Sequence, residues 1–201
     1  MKMYKKTQIN KLAGILKNDG VIAVPTDTVY GLCAHMNSEK AREKLIEIKH
    51  RPEKNVFPIM CANIEQIKSI AKVDEKSKKI IKAFMPGPIT ILLEKRIEIP
   101  KYVNNGLRLI AVRMATSKVL EELIEKVGSP IFMTSANLSG EPVCKSIEEI
   151  QEKFHNIDGI LEGKVSYGQA STIVDCTSDE IKIIREGPIS LEEIEKILDS
   201  N

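Results

Sequence analysis

The fold of this chain is constrained above all by short apolar runs that alternate with amphipathic helical stretches. The first run, VIAVP at 21–25, has no polar member, which is typical of a strand buried on both faces of a sheet. The other predicted strands are 57–61, 89–95, 107–113, 130–134, 171–176 and 181–185. The last two have the pattern of a hairpin. The alternation predicts a mixed α/β (α+β) fold, in which a twisted sheet of parallel and antiparallel strands carries helices on both faces.

Helix start and stop signals lie between these runs. Ser38 is a predicted N-cap, and MPGP at 85–88 must end the helix that precedes it. Ser146 and Ser190 each stand three residues before a glutamate, which is the pattern of a capping box. The predicted helices are 7–18, 38–49, those that begin at Asn63 and Asp74, 117–127, and those that begin at Ser146 and Ser190.

The composition is that of an ordinary globular protein. Its length of 201 residues predicts one domain, 1–201. Lys and Arg number 30 against 28 Asp and Glu, so the net charge of +2 gives no sign of a nucleic-acid surface, although a local basic pocket is compatible with it. The four cysteines lack zinc-site spacing and are predicted to be buried, reduced thiols. Without a targeting segment or a run of ~18 apolar residues, we expect a cytoplasmic protein with no membrane contact.

Three polar segments adjoin predicted strands and are rich in hydroxyl groups. They are PTDTVYG at 25–31, TSANLSG at 134–140 and GQAST at 168–172. Small side chains let a ligand approach the backbone, and hydroxyls both donate and accept hydrogen bonds. Loops at the carboxyl ends of buried strands are common ligand sites. The alternative for TSANLSG is a loop whose side chains only satisfy their own backbone.

Four cations stand at the ends of predicted elements. Lys49 and Arg51 close a helix before Pro52, where they either interact with the helix dipole or present a guanidinium to a phosphate. Arg113 and Arg185 each close an apolar strand and either extend to water or turn into a polar pocket. If these strand ends gather at one edge, the cations form a set that suits a polyphosphate and a carboxylate.

The order of these motifs resembles that of the YrdC/TsaC family of threonylcarbamoyl-AMP synthases. The motifs are VPTDTVYGL, KHRP, MPGPITILL, IAVRM, TSANLSGEP, STIVDC and IIREGPISLEEI. The resemblance runs from about residue 8 to residue 198, and the paired KxR and SxN signature is present as Lys49–Arg51 and Ser135–Asn137. It implies a YrdC/RibB-like sheet with a large concave basic cavity. It also implies the short, single-domain form, without the C-terminal domain of longer members.

The resemblance implies a nucleotidyl transfer. L-threonine, bicarbonate and ATP would give threonylcarbamoyl-AMP and pyrophosphate, with Mg²⁺ accompanying the ATP and no metal-binding side chain identified. A separate set of tRNA threonylcarbamoyl-transferase proteins would use the product for the t6A37 modification of tRNAs that read ANN codons. Contact with tRNA or double-stranded RNA is a further expectation from the family.

The resemblance also assigns roles to residues. Those expected to act in catalysis are Lys49, Arg51, Ser135 and Asn137. Those expected to bind threonine are Thr28, Tyr30, Arg113, Thr134 and Ser171. Those expected to bind ATP are Lys49, Arg51, Asn55, Ser135, Asn137, Cys144 and Arg185.

The sequence departs from the family pattern at two places, and two other functions stay open. Val143 and Cys144 follow SGEP where a serine is usual, and Met60 stands near a position that is often histidine or polar. The main alternative is a module of the same fold that binds double-stranded RNA or tRNA without chemistry. A carbamoyl-adenylate enzyme like the matching domain of hydrogenase-maturation carbamoyltransferases is a second alternative. Against this second alternative, the present chain is shorter than those proteins and lacks their CxxC spacing.

Overall fold

The computed structural model describes residues 2–165, 169–178 and 180–199, and ten strands within these ranges form one sheet. The spatial order of the strands is β1-β8-β2-β3-β7-β4-β6-β5-β9-β10, with parallel and antiparallel neighbours. The strands are β1 Met3–Tyr4, β2 Ile22–Pro25, β3 Tyr30–His35, β4 Ile59–Cys61, β5 Ile89–Glu94, β6 Leu109–Met114, β7 Ile131–Ser135, β8 Gly159–Leu161, β9 Thr172–Asp175 and β10 Lys182–Arg185. The predicted mixed sheet is confirmed. Gly168 of the predicted GQAST segment lies outside the described residues.

Seven α-helices in the described ranges follow the predicted order. Ser38 accepts a hydrogen bond from the Ala41 N–H, as expected of an N-cap. The capping box at Ser190 is complete, because the Glu193 carboxylate accepts from the Ser190 N–H. The helices are α1 Ile9–Lys17, α2 Glu39–Lys49, α3 Ile64–Ile70, α4 Glu75–Phe84, α5 Lys118–Val127, α6 Ile147–Lys153 and α7 Leu191–Asp199. None of the helices within the described part of the chain combines the length and apolar character that a membrane crossing needs.

Successive side chains of the central strands enter two different cores. In β2, Ile22 and Val24 pack in a cluster with α1 and α5, whereas Ala23 packs on the opposite face with α2. This division explains why VIAVP has no polar member, since both faces of the strand are covered. Helices on both faces of the sheet are therefore confirmed.

Three strands were not predicted. The segment PTDTVYG is the turn between β2 and an antiparallel neighbour, β3, which continues from Tyr30 to His35. The sequence YGLCAH lacks the β-branched residues that usually indicate a strand. The other two, β1 and β8, are only two and three residues long and pair with each other in parallel, which gives no local signal.

The four cysteines are buried and unpaired, as predicted; they are Cys33, Cys61, Cys144 and Cys176. Burial raises the pKa of the Cys176 thiol to about 12, so the thiol is the stable form. The single domain over 1–201 stays a prediction.

Candidate active site

The ends of several strands gather around one cavity of about 330 Å³. Met60 and Met133 line this cavity and also pack in the cluster with α1 and α5, so the cavity lies on that face of the sheet. Seven of the predicted site residues line it: Thr28, Arg51, Arg113, Thr134, Ser135, Ser171 and Arg185. Among the described residues that line it, none is an aspartate or glutamate. The described lining therefore carries three guanidinium groups and no carboxylate.

The turn between β2 and β3 is closed by the hydroxyl of Thr26. Its Oγ1 donates to the Val29 carbonyl oxygen at 2.7 Å and accepts from the N–H groups of Thr28 and Val29, each at 3.2 Å. The Thr28 hydroxyl lies 3.0 Å from Thr26 Oγ1, a contact in which either hydroxyl could donate. With two lone pairs, Thr28 Oγ1 can also accept from Arg113 Nη1 at 3.2 Å. The threonines of PTDTVYG thus orient one acceptor toward an arginine.

Arg113 is held by three different groups. Its Nε donates to the Gly87 carbonyl oxygen at 3.1 Å, its Nη1 to Thr28, and its Nη2 forms an ion pair with the Asp27 carboxylate. Burial lowers the pKa of the Arg113 guanidinium, and the charge of Asp27 opposes that effect. Asp27 was not among the predicted site residues, although it belongs to the PTDTVYG motif.

Arg185 reaches the cavity because of a β-bulge in β10. Ile183 pairs with Val174, yet Arg185 pairs with Ile173, so Ile184 is the extra residue. Without the bulge, Arg185 would pair with Thr172 and its side chain would leave on the opposite face. In place, it donates to the Ser171 carbonyl oxygen at 3.1 Å from Nε and 2.7 Å from Nη2.

The Ser171 hydroxyl connects Arg185 to a further threonine. Its Oγ accepts from Arg185 Nη2 at 3.1 Å and lies 2.9 Å from Thr90 Oγ1. Both hydroxyl residues are buried, and both line the cavity. Thr90 was not predicted. It is the second residue of an apolar strand, where a threonine is ordinary, so the sequence offers no signal for it.

Arg51 is fixed by the loop that follows it. Its Nε donates to the Asn55 carbonyl oxygen at 3.0 Å and its Nη2 to the Val56 carbonyl oxygen at 2.7 Å. The guanidinium carbon also lies 4.7 Å from the centre of the Phe57 ring, a cation–π contact. Burial lowers the pKa of this guanidinium. Asn55 contributes its backbone to this arrangement, and its side chain is not part of the cavity lining.

Lys49 does not line the cavity but supports a residue that does. Its Nζ donates to the carbonyl oxygens of Ser135 at 2.6 Å and Asn137 at 2.7 Å, and lies 3.2 Å from Asn137 Oδ1. Asn137 Oδ1 also accepts from the Ser135 hydroxyl at 2.6 Å. Burial lowers the pKa of Lys49 to about 7, and the charge of Arg51 contributes in the same direction. The KxR and SxN signatures therefore meet through Lys49.

The remaining predicted residues lie in the surroundings. Tyr30 is buried, and its hydroxyl donates to the Gly163 carbonyl oxygen at 2.9 Å and accepts from the Gly163 N–H at 3.1 Å. Cys144 is buried, and its N–H donates to the Ala136 carbonyl oxygen at 2.8 Å. Neither side chain belongs to the cavity lining.

Metal ligands are scarce around this cavity. Within the described ranges, no group of three or more His, Cys, Asp or Glu side chains is arranged to hold a metal ion. Mg²⁺ prefers carboxylate, phosphate and water oxygens, and the lining offers only hydroxyl and carbonyl oxygens. The lining thus combines arginines, which are suited to anions, with hydroxyls, which are suited to a small polar ligand.

Comparison with known proteins shows the family of this chain. A family model for Sua5, YciO and YrdC proteins, described as "Telomere recombination", matches residues 14–187. The threonylcarbamoyl-AMP synthase of Pyrococcus abyssi is 37% identical over 194 residues, which are 95% of this chain and 57% of the relative. The threonylcarbamoyl-AMP synthase of Klebsiella pneumoniae is 32% identical over 171 residues, 83% of this chain and 90% of the relative.

A solved structure has the same fold. The crystal structure of Pyrococcus abyssi Sua5 complexed with L-threonine matches with a TM-score of 0.92 and 34% identity, covering 98% of this chain and 60% of that chain. The present chain thus spans less than two thirds of the length of the Pyrococcus protein. On the family match and these identities, the chain belongs to the Sua5/YciO/YrdC family.

Proposed function

We propose that this chain forms threonylcarbamoyl-AMP and pyrophosphate from L-threonine, bicarbonate and ATP. The observation that carries the proposal is the convergence of Arg51, Arg113 and Arg185 on one cavity beside the hydroxyls of the turn at 26–29. Relatives with the name threonylcarbamoyl-AMP synthase support it, as does a related structure that holds L-threonine. The enzyme would then be a nucleotidyltransferase.

The proposed reaction has two steps, the formation of a carbamate and its transfer to the α-phosphorus of ATP. The neutral amine of threonine attacks the carbon of bicarbonate, and water leaves to give an N-carbamate. A carbamate oxygen then attacks the α-phosphorus of ATP, the bond to the bridging oxygen breaks, and pyrophosphate leaves. No covalent intermediate with the protein is needed, so the chain's contribution is to position the reactants and to stabilise charge.

Each part of the cavity has a role in this scheme. Arg113 and Thr28 bind the carboxylate and the hydroxyl of threonine, with Thr134 and Ser171 nearby, and Tyr30 supports the turn from behind. Arg51 and Arg185 bind the phosphates and stabilise the negative charge that develops on the leaving pyrophosphate. Lys49 and Asn137 hold Ser135 in place, while the loops of Asn55 and Cys144 border the nucleotide.

In this scheme Mg²⁺ binds together with ATP. Because the described lining has no carboxylate, the ion is carried by the ATP phosphates and water, and reduces the negative charge that the arginines must balance. Downstream, tRNA threonylcarbamoyl-transferase proteins would consume the product in the cytoplasm, and contact with tRNA would assist that transfer.

Incubation with ATP, Mg²⁺, bicarbonate and L-threonine tests the proposal. We expect threonylcarbamoyl-AMP by mass spectrometry and one pyrophosphate per product, with neither formed when threonine is omitted. Arg113→Gln is expected to abolish turnover, whereas Arg108→Gln, which changes an exposed arginine of the same region, is expected to preserve it. A chain that binds double-stranded RNA but forms no product with these substrates would establish the RNA-binding alternative instead.

A further inference from the structure

The three arginines of the cavity differ in how their positive charge is compensated. Arg113 is paired with the Asp27 carboxylate. Arg51 donates to the carbonyl oxygens of Asn55 and Val56, and Arg185 donates to the carbonyl and hydroxyl oxygens of Ser171. In the part of the chain that the structure describes, no ion pair joins either of these two arginines to a carboxylate.

This difference divides the cavity electrostatically. Arg51 and Arg185 keep their full positive charge, since a carbonyl oxygen accepts a hydrogen bond without adding a negative charge. Arg113 and Asp27 together carry no net charge, and their side chains are only 7% and 16% exposed, so water screens the pair little. Polyanions are attracted to the first two arginines far more than to the third.

The Arg113–Asp27 pair is also well placed to bind a zwitterion. A guanidinium has five N–H donors, and Arg113 uses one each for Gly87, Thr28 and Asp27, which leaves two. An incoming carboxylate can accept from those two. The Asp27 side chain lies outside the lining, so it acts through its charge, which favours a ligand that carries an ammonium group beside that carboxylate. Asp27 is itself anchored, because its N–H donates to Thr116 Oγ1 at 3.3 Å.

We propose that Asp27 acts as a specificity-determining residue through Arg113, by reserving that arginine for the zwitterionic amino acid and excluding phosphates from it. The inference rests on the proposed function, because it assumes that one cavity receives both an amino acid and a nucleotide. Three uncompensated arginines in one cavity would let the phosphates occupy the place of the amino acid. With Asp27 present, each substrate has its own cations.

Competition between inorganic tripolyphosphate and threonine tests this role. In the wild type, tripolyphosphate is expected to compete with ATP and not with threonine. In Asp27→Asn, which keeps an oxygen for Arg113 but removes the negative charge, it is expected to compete with both, with at least about tenfold tighter inhibition against threonine. Asp19→Asn is the matched control, since Asp19 pairs with Lys40 away from the cavity, and it should keep the wild-type pattern.

A second measurement on the wild type does not depend on the folding of any variant. 3-Hydroxybutyrate has the carboxylate and hydroxyl without the ammonium, and threoninol has the amine without the carboxylate. Both are expected to compete with threonine at least about tenfold more weakly than threonine itself binds. Equal binding of 3-hydroxybutyrate, or an unchanged competition pattern in Asp27→Asn, overturns the inference.

Calorimetric competition provides the same comparison without turnover. A wild type that binds threonine and ATP but forms no product contradicts the proposed function and leaves the competition test intact. A wild type that forms product, with an Asp27→Asn variant that excludes tripolyphosphate from the threonine position equally well, contradicts the Asp27 inference alone.

Discussion

The ammonium of Lys49 lies 2.6 Å from the carbonyl oxygen of Ser135 and so joins the end of α2 to the end of β7. This lysine is 1% exposed, and burial lowers its pKa from the ordinary 10.5 to about 7. Between these two pH values the unfolded chain binds the extra proton, so the free energy of unfolding rises with pH across that window. Below pH 7 both states are protonated and this contribution no longer changes.

Lys49→Met should remove this part of the pH dependence. For the wild type we expect the Lys49 contribution to raise the free energy of unfolding by about 2 kcal/mol from pH 7 to pH 9. Urea unfolding at several pH values in this range measures the slope for each protein. Lys54→Met, which changes an exposed lysine of the next loop, is the control and should keep the wild-type slope. Equal slopes for Lys49→Met and wild type would show that Lys49 keeps an ordinary pKa.

The buried contact between Thr90 and Ser171 gives a second prediction. Thr90→Val removes the hydroxyl that lies 2.9 Å from Ser171 Oγ and leaves a buried polar group with one partner fewer. We expect a loss of about 1–3 kcal/mol in the free energy of unfolding, measured by urea denaturation. Thr90→Ser keeps the hydroxyl and should recover most of that loss. If both variants lose the same stability, the methyl group rather than the hydroxyl is what matters.

Local signals predicted most of the fold. Ser38, Asn63 and Asp74 each cap the helix that was expected from the sequence, since capping depends only on residues within one turn. The strand from Tyr30 to His35 was missed because YGLCAH lacks β-branched residues; β2 pairs with it on one side, and its other partner, β7, lies about a hundred positions later in the chain. Pairing of that kind is decided by the tertiary structure and has no local signature.

The same distinction applies to the site. Arg113 and Arg185 attracted attention because a charge at the end of an apolar strand is unusual, and both line the cavity. The ion pair of Arg113 with Asp27 joins residues that are 86 positions apart, so it depends on the tertiary structure and has no signal in the local sequence. The bulge at Ile184 is likewise a matter of register between two strands, which the sequence of either strand does not specify.

Gly31 leaves space that the cavity needs. A Cβ at this position would overlap Met133 Sδ and lie 3.2 Å from the Thr134 carbonyl oxygen. Gly31→Ala should therefore lower the free energy of unfolding by roughly 1–3 kcal/mol and weaken threonine binding, because Met133 must move within the cavity wall. Urea unfolding and calorimetry with threonine measure the two effects.

A double variant separates the two contacts of that Cβ. Met133→Ala should restore part of the stability in the Gly31→Ala background, since it removes the side chain that the new Cβ meets. Gly14→Ala, where a Cβ would meet no atom within 4 Å, is the control and should not destabilise the chain. Additive losses in the double variant would place the strain in the backbone at Thr134 instead.

Deletion of Ile184 tests whether the pairing of Arg185 with Ile173, rather than the bulge itself, directs this arginine into the cavity. With that residue removed, Ile183 still pairs with Val174 and Arg185 follows it opposite Ile173, so its side chain stays on the cavity face. We expect the deletion variant to bind ATP about as tightly as the wild type, whereas Arg185→Ala weakens binding some tenfold or more for a lost charged contact. Calorimetric titration with ATP measures both variants.

The control keeps the bulge and changes only the side chain at its tip. Ile184 is 57% exposed and also lines the cavity, so Ile184→Ala should keep the register of β9 and β10 and change the ATP affinity far less than Arg185→Ala does. The strand is at the edge of the sheet with a neighbour on one side only, so its register can change without disturbing the central strands. If the deletion variant bound ATP as weakly as Arg185→Ala, the bulge itself, and not the pairing with Ile173, would set the position of Arg185.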